Sequence, residues 1–280
     1  MNLSLILTGR DDDYGGNFIE RLHKALQWNM PQLNISEPRL QYEVILVDWN
    51  PIDGKYLFQN PALKGTLANL FVKNVIVDQS VLVAEGLNPN TYYEYFAKNA
   101  GARYATGDLF FLTNSDILLT EKLIAEINKI HKSKDIEDYF YRTRYRGEIT
   151  LGSNPRDDYP VDDLHHPEYP DACICGLYSG DASMFTRDTF MNVATGYNEG
   201  EPAHRTDYNQ SAMDGEILWN VYKKGKQLKF MDAAYFHVDH GRPNPRDAFY
   251  SHETYENKSN WGFVDYETEQ LNRNTTIIKA

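Results

Sequence analysis

The residues best placed to do chemistry are Asp116, His237 and His240. Asp116 follows the apolar run Leu109-Phe110-Phe111-Leu112 by way of Thr113-Asn114-Ser115. A carboxylate at the end of a buried strand is costly unless it is exposed, paired or bound to metal. A hard divalent cation held there, Mn²⁺ or Mg²⁺, can bridge a diphosphate. The stretch Phe236-His237-Val238-Asp239-His240-Gly241 ends a second apolar run. If the backbone turns there, both imidazoles reach one ion, and mixed Asp and His ligation fits Mn²⁺ better than Mg²⁺. The competing readings are a plain turn for Asn114 and Asp116 and a structural place for each histidine.

A third feature is Asp214-Gly215-Glu216, at the start of a helical pattern. Ser211 with Asp214 three residues on resembles a capping box, and acids suit a helix N-terminus. A carboxylate on a rigid helix start can equally serve as a general base, with Gly215 admitting a substrate closely. Spacing alone leaves both open. Two further strand ends are polar, Thr8-Gly9-Arg10 and Asp48-Trp49-Asn50. In parallel α/β sheets, ligands sit outside the carboxyl ends of the strands. Together with Asn114-Ser115-Asp116 these ends can line one crevice, or simply mark where strands stop.

The elements that must position these residues follow from periodicity. The first half alternates apolar runs with helical patterns, which predicts a mostly parallel sheet. Leu3–Thr8, Val44–Asp48, Asn74–Val77 and Leu109–Leu112 read as strands. Asn17 is expected to cap a helix bearing Phe18, Leu22 and Leu26, with Pro31 just beyond its end. Thr91–Glu94 has capping-box spacing and opens a helix through Ala105. Thr120 is expected to cap another helix, carrying Leu123, Ile124, Ile127 and Ile130. From about Asp135 to Pro170 the chain is rich in Asp, Arg, Tyr and Pro, which predicts a loop-rich excursion over the site. Ile174–Tyr178, Ala182–Phe185, Leu228–Met231 and Ala234–Phe236 read as strands, and Met213–Lys224 as a helix ended by Gly225. The tail from Arg242 onward lacks periodicity.

Composition narrows the partners. The 280 residues are 41% hydrophobic and 24% charged, an ordinary globular balance. The formal net charge of −12 offers no basic footprint for phosphates, which argues against a nucleic-acid polymer. No stretch reaches the roughly 18 to 20 apolar residues of a membrane span, and Leu3–Leu7 is too short for a secretory segment. A cytoplasmic location is therefore expected. Cys173 and Cys175, the only cysteines, are too few for a zinc site and read as buried thiols. The 20 Tyr, 13 Phe and 4 Trp are compatible with sugar-ring packing, though aromatic residues serve cores as well.

Taken in order, these segments resemble inverting GT-A glycosyltransferases across residues 1 to 242. Val44-Ile45-Leu46-Val47-Asp48 is similar to the second strand of family 2 enzymes, whose terminal Asp contacts the donor base. Ala97-Lys98-Asn99-Ala100-Gly101 resembles their Arg-Asn-x-Gly helix segment near the donor. Ala105-Thr106-Gly107-Asp108, running through Leu112 to Asp116, resembles the approach to a DxD-type metal motif, with Asn114 in place of its first acid. Gly196-Tyr197-Asn198-Glu199 is similar to the "GFNE" loop. Asp214-Gly215-Glu216 ahead of Gly225 resembles the "ED" helix and puts Asp214 at the catalytic-base position. His237-Val238-Asp239-His240 resembles the metal-binding element of the galactosyltransferase branch.

The resemblance implies a GT-A fold in one domain over 1–242, with a nucleotide-sugar-binding half (1–118), an acceptor and catalytic half (119–242), and a tail (243–280) packed on it. It implies Mn²⁺ or Mg²⁺ on Asp116, His237 and His240. A nucleotide-sugar donor, UDP-sugar first among them, would meet Thr8, Gly9, Arg10, Asp48, Lys98, Asn99, Asn114 and Ser115. Asp214, with Glu216 beside it, would deprotonate the hydroxyl of a glycan or other acceptor, and the anomeric configuration would invert. The Arg242 region would add charge near the phosphates. The rival classes are a sugar-nucleotide nucleotidyltransferase, disfavoured by the acidic loop Asp11-Asp12-Asp13, a metal-dependent hydrolase lacking the His-Glu-x-x-His pattern, and a non-catalytic carbohydrate-binding protein.

Overall fold

The computed structural model describes residues 2–12, 15–35, 41–68, 72–165, 174, 181–199, 210–240, 256–257 and 259–280. The strands are β1 (Asn2–Gly9), β2 (Gln41–Trp49), β3 (Val72–Val77), β4 (Leu109–Thr113), β5 (Ile117–Leu119), β6 (Tyr139–Ile149), β7 (Asp162–Asp163), β8 (Ala182–Thr186), β9 (Gln227–Val238), β10 (Glu267–Asn272) and β11 (Thr275–Lys279). The helices are α1 (Phe18–Ile35), α2 (Pro61–Leu67), α3 (Gln79–Ala84), α4 (Glu94–Tyr104), α5 (Glu121–His131) and α6 (Gln210–Lys223).

The strands form one sheet in the order β10-β11-β3-β2-β1-β4-β8-β6-β9-β5, with β7 on β6. β11, β3, β2, β1 and β4 run parallel. Their residues are buried on both faces, so they read as continuous apolar runs rather than alternating ones. Leu3, Leu5 and Leu7 of β1 pack with α1, α2 and α5, whereas Ile6 joins Ile45 and Val47 against α3, α4 and α6. β2 and β3 lie on one side of β1 and β4 on the other, so the strand order reverses beside β1. In such sheets, ligands sit outside the strands' carboxyl ends at the point of reversal.

Several local expectations change. α1 runs through Pro31, because Met30 and Leu33 stay buried on either side of it. That packing outweighs the hydrogen bond a proline removes. α4 begins at Glu94 with no side-chain cap. The Thr91 carbonyl is instead taken by the Trp49 indole at 3.3 Å, and the Tyr92 hydroxyl lies 2.6 Å from Thr8 Oγ1. Thr120 does cap α5, accepting from Leu123 N at 3.2 Å.

The largest correction concerns the segment expected to be a loop-rich excursion. Tyr139–Ile149 is a central strand, pairing with β8 on one side and β9 on the other. Its arginines hid it: Arg142 and Arg146 are buried, and Arg146 is neutralised by Asp181 and Glu148. The two short strands expected within 228–236 are one, β9. The tail extends the sheet, because Ile277 and Ile278 are buried on β11 beside β3. The expected strand Ile174–Tyr178 lies outside the described residues apart from Ile174, and Cys173, Cys175 and the Arg242 region lie wholly outside them. Among the described residues no helix is long and apolar enough to cross a membrane.

Candidate active site

Asp116 and His237 are brought together by sheet register. After β4 the chain turns into β5, which pairs antiparallel with β9 so that Ile117 faces His237. Val238 N donates to the Asp116 carbonyl at 2.9 Å and fixes the turn. His240 follows just past the end of β9. The result is a cluster in which one carboxylate oxygen and two imidazole nitrogens lie within 4.8 Å of one another. Asp116 Oδ2 is 3.7 Å from His237 Nε2 and 3.5 Å from His240 Nε2. The imidazole rings are 5.0 Å apart.

This donor set fits a divalent ion of borderline softness. His237 Nδ1 is committed to Glu148 Oε2 at 2.8 Å, which leaves Nε2 facing Asp116. A carboxylate behind a ligating histidine is the usual device for fixing its orientation. Burial favours neutral His237, but the Glu148 bond and the charges of Asp116 and Asp181 outweigh it and raise its proton affinity. Glu148 is opposed by burial as well, yet His237 and Arg146 hold it down at about 2. The buried Asp116 carboxylate also meets Arg21 of α1. A cavity of about 340 Å³ adjoins the cluster, bounded by Gly16, Asn17, Arg21, Leu151, Asp239 and His240.

The crevice residues expected at the donor are at the expected end of the sheet, in different states. Asp48 is buried, with Oδ2 accepting from Leu57 N at 2.7 Å and Oδ1 lacking a partner among the described residues. Burial lifts its carboxyl to about 7. Arg10 is buried and donates to the Pro89 carbonyl at 3.1 Å. Gly9 has a packing reason, since a Cβ there would lie 2.4 Å from Phe18 Cζ. Ser115 is buried beside Asp116. Asn99 has all its amide atoms engaged: Nδ2 donates to Tyr197 O and Glu199 Oε1 at 2.9 and 2.6 Å, and Oδ1 accepts from Tyr197 N at 2.7 Å. Its place is to hold the Tyr197–Glu199 loop.

Lys98 is fully buried on α4 and bonds Glu94 Oε1 at 2.5 Å and Asn114 Oδ1 at 3.2 Å. Burial pulls its ammonium down, but Glu94 and Asp214 hold it protonated. Asp214, half-buried on α6, accepts from the Tyr95 hydroxyl at 2.7 Å. Its Oδ1 is buried without a hydrogen-bond partner among the described residues. Burial raises its carboxyl to about 7 against the opposing charge of Lys98. Glu216 differs: it is 1% exposed and accepts from Asn198 at 3.3 Å. The Ser211 side chain, expected as a cap, lies outside the described residues.

The sequence matches no family model and no curated protein. Solved structures do match. S. aureus TarS aligns at a TM-score of 0.50 and 15% identity, over 85% of this chain and 37% of that one. TarS 1–349 in complex with UDP-GlcNAc gives 0.50 and 14%, over 88% and 60%. The mannosyltransferase PcManGT from Pyrobaculum calidifontis, in complex with GDP-Man and Mn²⁺, gives 0.51 and 14%, over 85% and 56%. The chain has a glycosyltransferase fold. It spans between 37% and 60% of the length of those proteins, and at such low identity the likeness concerns the fold.

Sequence reasoning passed over Arg21, Tyr95, Glu94, Arg146, Glu148 and Asp181. Two signals were available. Glu94 and Lys98 are four apart on a helix, a spacing that pairs charges. Arg142, Arg144, Arg146 and Glu148 alternate with Thr143, Tyr145, Gly147 and Ile149, the period of a strand.

Proposed function

We propose that the protein transfers a sugar from a nucleoside-diphosphate sugar to an acceptor hydroxyl, with the help of a divalent cation and with inversion. The observation that carries this reading is the joint placement of two groups at the carboxyl end of one sheet. One is the Asp116–His237–His240 cluster; the other is Asp214, a carboxyl poised near neutrality. Lys98 relates to both: it bonds Asn114, two residues before Asp116, and its charge acts on Asp214.

Asp116, His237 and His240 would hold the cation, Mn²⁺ before Mg²⁺ given two imidazoles. When bound, the ion neutralises charge developing on the leaving diphosphate. Asp214 takes the proton of the acceptor hydroxyl as its oxygen attacks the anomeric carbon. The bond to the diphosphate oxygen breaks, and its electron pair leaves with the nucleotide. Tyr95 holds Asp214 in place, because burial keeps its phenol protonated and therefore donating. Asp48, whose Oδ1 has no partner among the described residues, would accept from the donor base. A UDP-sugar is the first donor to try, and a glycan or another hydroxyl compound the acceptor.

The experiment is turnover of UDP- and GDP-sugars with Mn²⁺ and with EDTA, with the product's anomeric configuration read by NMR. Retained configuration would remove Asp214 as sole base. Turnover unaffected by EDTA would remove the cation.

A further inference from the structure

Asp181 precedes β8 and meets three elements at once. Its Oδ1 accepts from Asn114 Nδ2 at 3.0 Å. Its Oδ2 accepts from Arg146 Nε at 2.9 Å and from the Tyr235 hydroxyl at 3.2 Å. Its carbonyl accepts from Thr113 Oγ1 at 2.5 Å. Arg146 continues the chain, its Nη1 donating to Glu148 Oε1 at 2.6 Å, and Glu148 Oε2 meets His237 Nδ1 at 2.8 Å. An unbroken run of charge-assisted bonds therefore links Asp181 to the imidazole of the cation cluster.

We propose that Asp181 is a positioning residue: from just before β8 it acts through Arg146 and Glu148 to hold His237 for a divalent cation. This rests on the cation reading given above.

Asn114 has no charge to offer, and both ends of its amide are engaged, Nδ2 by Asp181 and Oδ1 by Lys98. Asp181, just before β8, thus brings a carboxylate oxygen to 3.0 Å from Asn114. The guanidinium of Arg146 is rigid and planar, so fixing Nε by Asp181 also fixes the direction of Nη1. The Arg146 side chain is 1% exposed, whereas that of Glu148 is 41% exposed. Glu148 is therefore oriented more by its bonds, that to Arg146 among them, than by packing. Without Asp181, Arg146 loses the bond that fixes its Nε, Glu148 can follow the guanidinium, and His237 loses part of what fixes its ring orientation.

The test is Mn²⁺ binding to the full chain by calorimetry, without nucleotide, with melting curves to check folding. The expected result for Asp181→Asn is an affinity lowered by roughly 10–100-fold, the usual effect of losing an outer partner of a ligand. Glu148→Gln should weaken binding similarly. The double variant should be little weaker than the worse single one, because both act along one path. Unchanged affinity in Asp181→Asn, or losses that simply add, would overturn the proposal. If Asp181→Asn does not fold, Arg146→Lys serves: it keeps the buried positive charge but cannot bridge both carboxylates. Weakened binding there supports the path, and wild-type binding overturns it. Failure of the wild-type chain itself to bind Mn²⁺ would overturn the cation reading and this proposal with it. Wild-type binding beside an unaffected Asp181→Asn would overturn this proposal alone.

Discussion

Glu148 stands opposite His237 in the parallel ladder of β6 and β9, and the two side chains meet at 2.8 Å. The contact aims His237 Nε2 at Asp116 and raises the proton affinity of the ring against the effect of burial. A proton on Nε2 blocks the nitrogen that a cation needs. Because that proton is held to a higher pH than usual, Mn²⁺ affinity should fall as pH drops and begin falling above the ordinary histidine value of about 6.5. Calorimetric titrations at roughly pH 5.5 to 8.5, chosen to bracket that value, check this. A flat profile would exclude both histidines as ligands.

A nucleoside diphosphate should stabilise the protein more with Mn²⁺ than with EDTA. At 100 times its Kd, such a ligand adds about 2.7 kcal/mol, visible as a higher Tm. Asp116→Ala should abolish the Mn²⁺-dependent part, and His237→Ala or His240→Ala should reduce it. Equal melting shifts with Mn²⁺ and EDTA would take the cation out of nucleotide binding.

Asp214 and Glu216 are two residues apart on α6 and should behave differently. Asp214→Asn keeps the shape and the Tyr95 contact but removes the proton acceptor, so turnover should fall roughly 10²–10⁴-fold. Wild-type turnover should rise with pH through about 7, where burial sets the Asp214 carboxyl. Glu216→Gln alters a buried contact to Asn198 and should appear in stability, by about 1–3 kcal/mol, more than in rate. An inactive Glu216→Gln beside an active Asp214→Asn would move the base to Glu216.

Gly101 lets α4 settle on the sheet. A Cβ there would lie 2.8 Å from Ile6 Cγ2 and 2.9 Å from Val47 Cγ2. Gly101→Ala should lift the helix and cost about 1–3 kcal/mol, as overpacking does. Because α4 carries Lys98 to Asn114, donor affinity should fall as well. Thermal melting and nucleotide titration measure the two effects, and an unchanged Tm would show that Ile6 and Val47 can yield.

The sequence by itself determined the parallel strands, the Thr120 cap and the polar ends of those strands. Continuous apolar runs such as Leu109–Leu112 are what a strand buried on both faces requires, and an Asp or His just past such a run is conspicuous by its cost. Local pattern carried that much because each signal lies within a few residues. The partners of those residues were decided only by tertiary structure. Arg146 meets Asp181, Glu148 meets His237 and Arg21 meets Asp116 across 35, 89 and 95 residues of sequence. Such pairings depend on which strands become neighbours and in what register, and no local period encodes that choice. The same non-locality concealed β6, whose arginines read as solvent-exposed until Asp181 and Glu148 neutralised Arg146 within the sheet. It concealed β11 too, because five residues become a strand only when β3 offers them an edge.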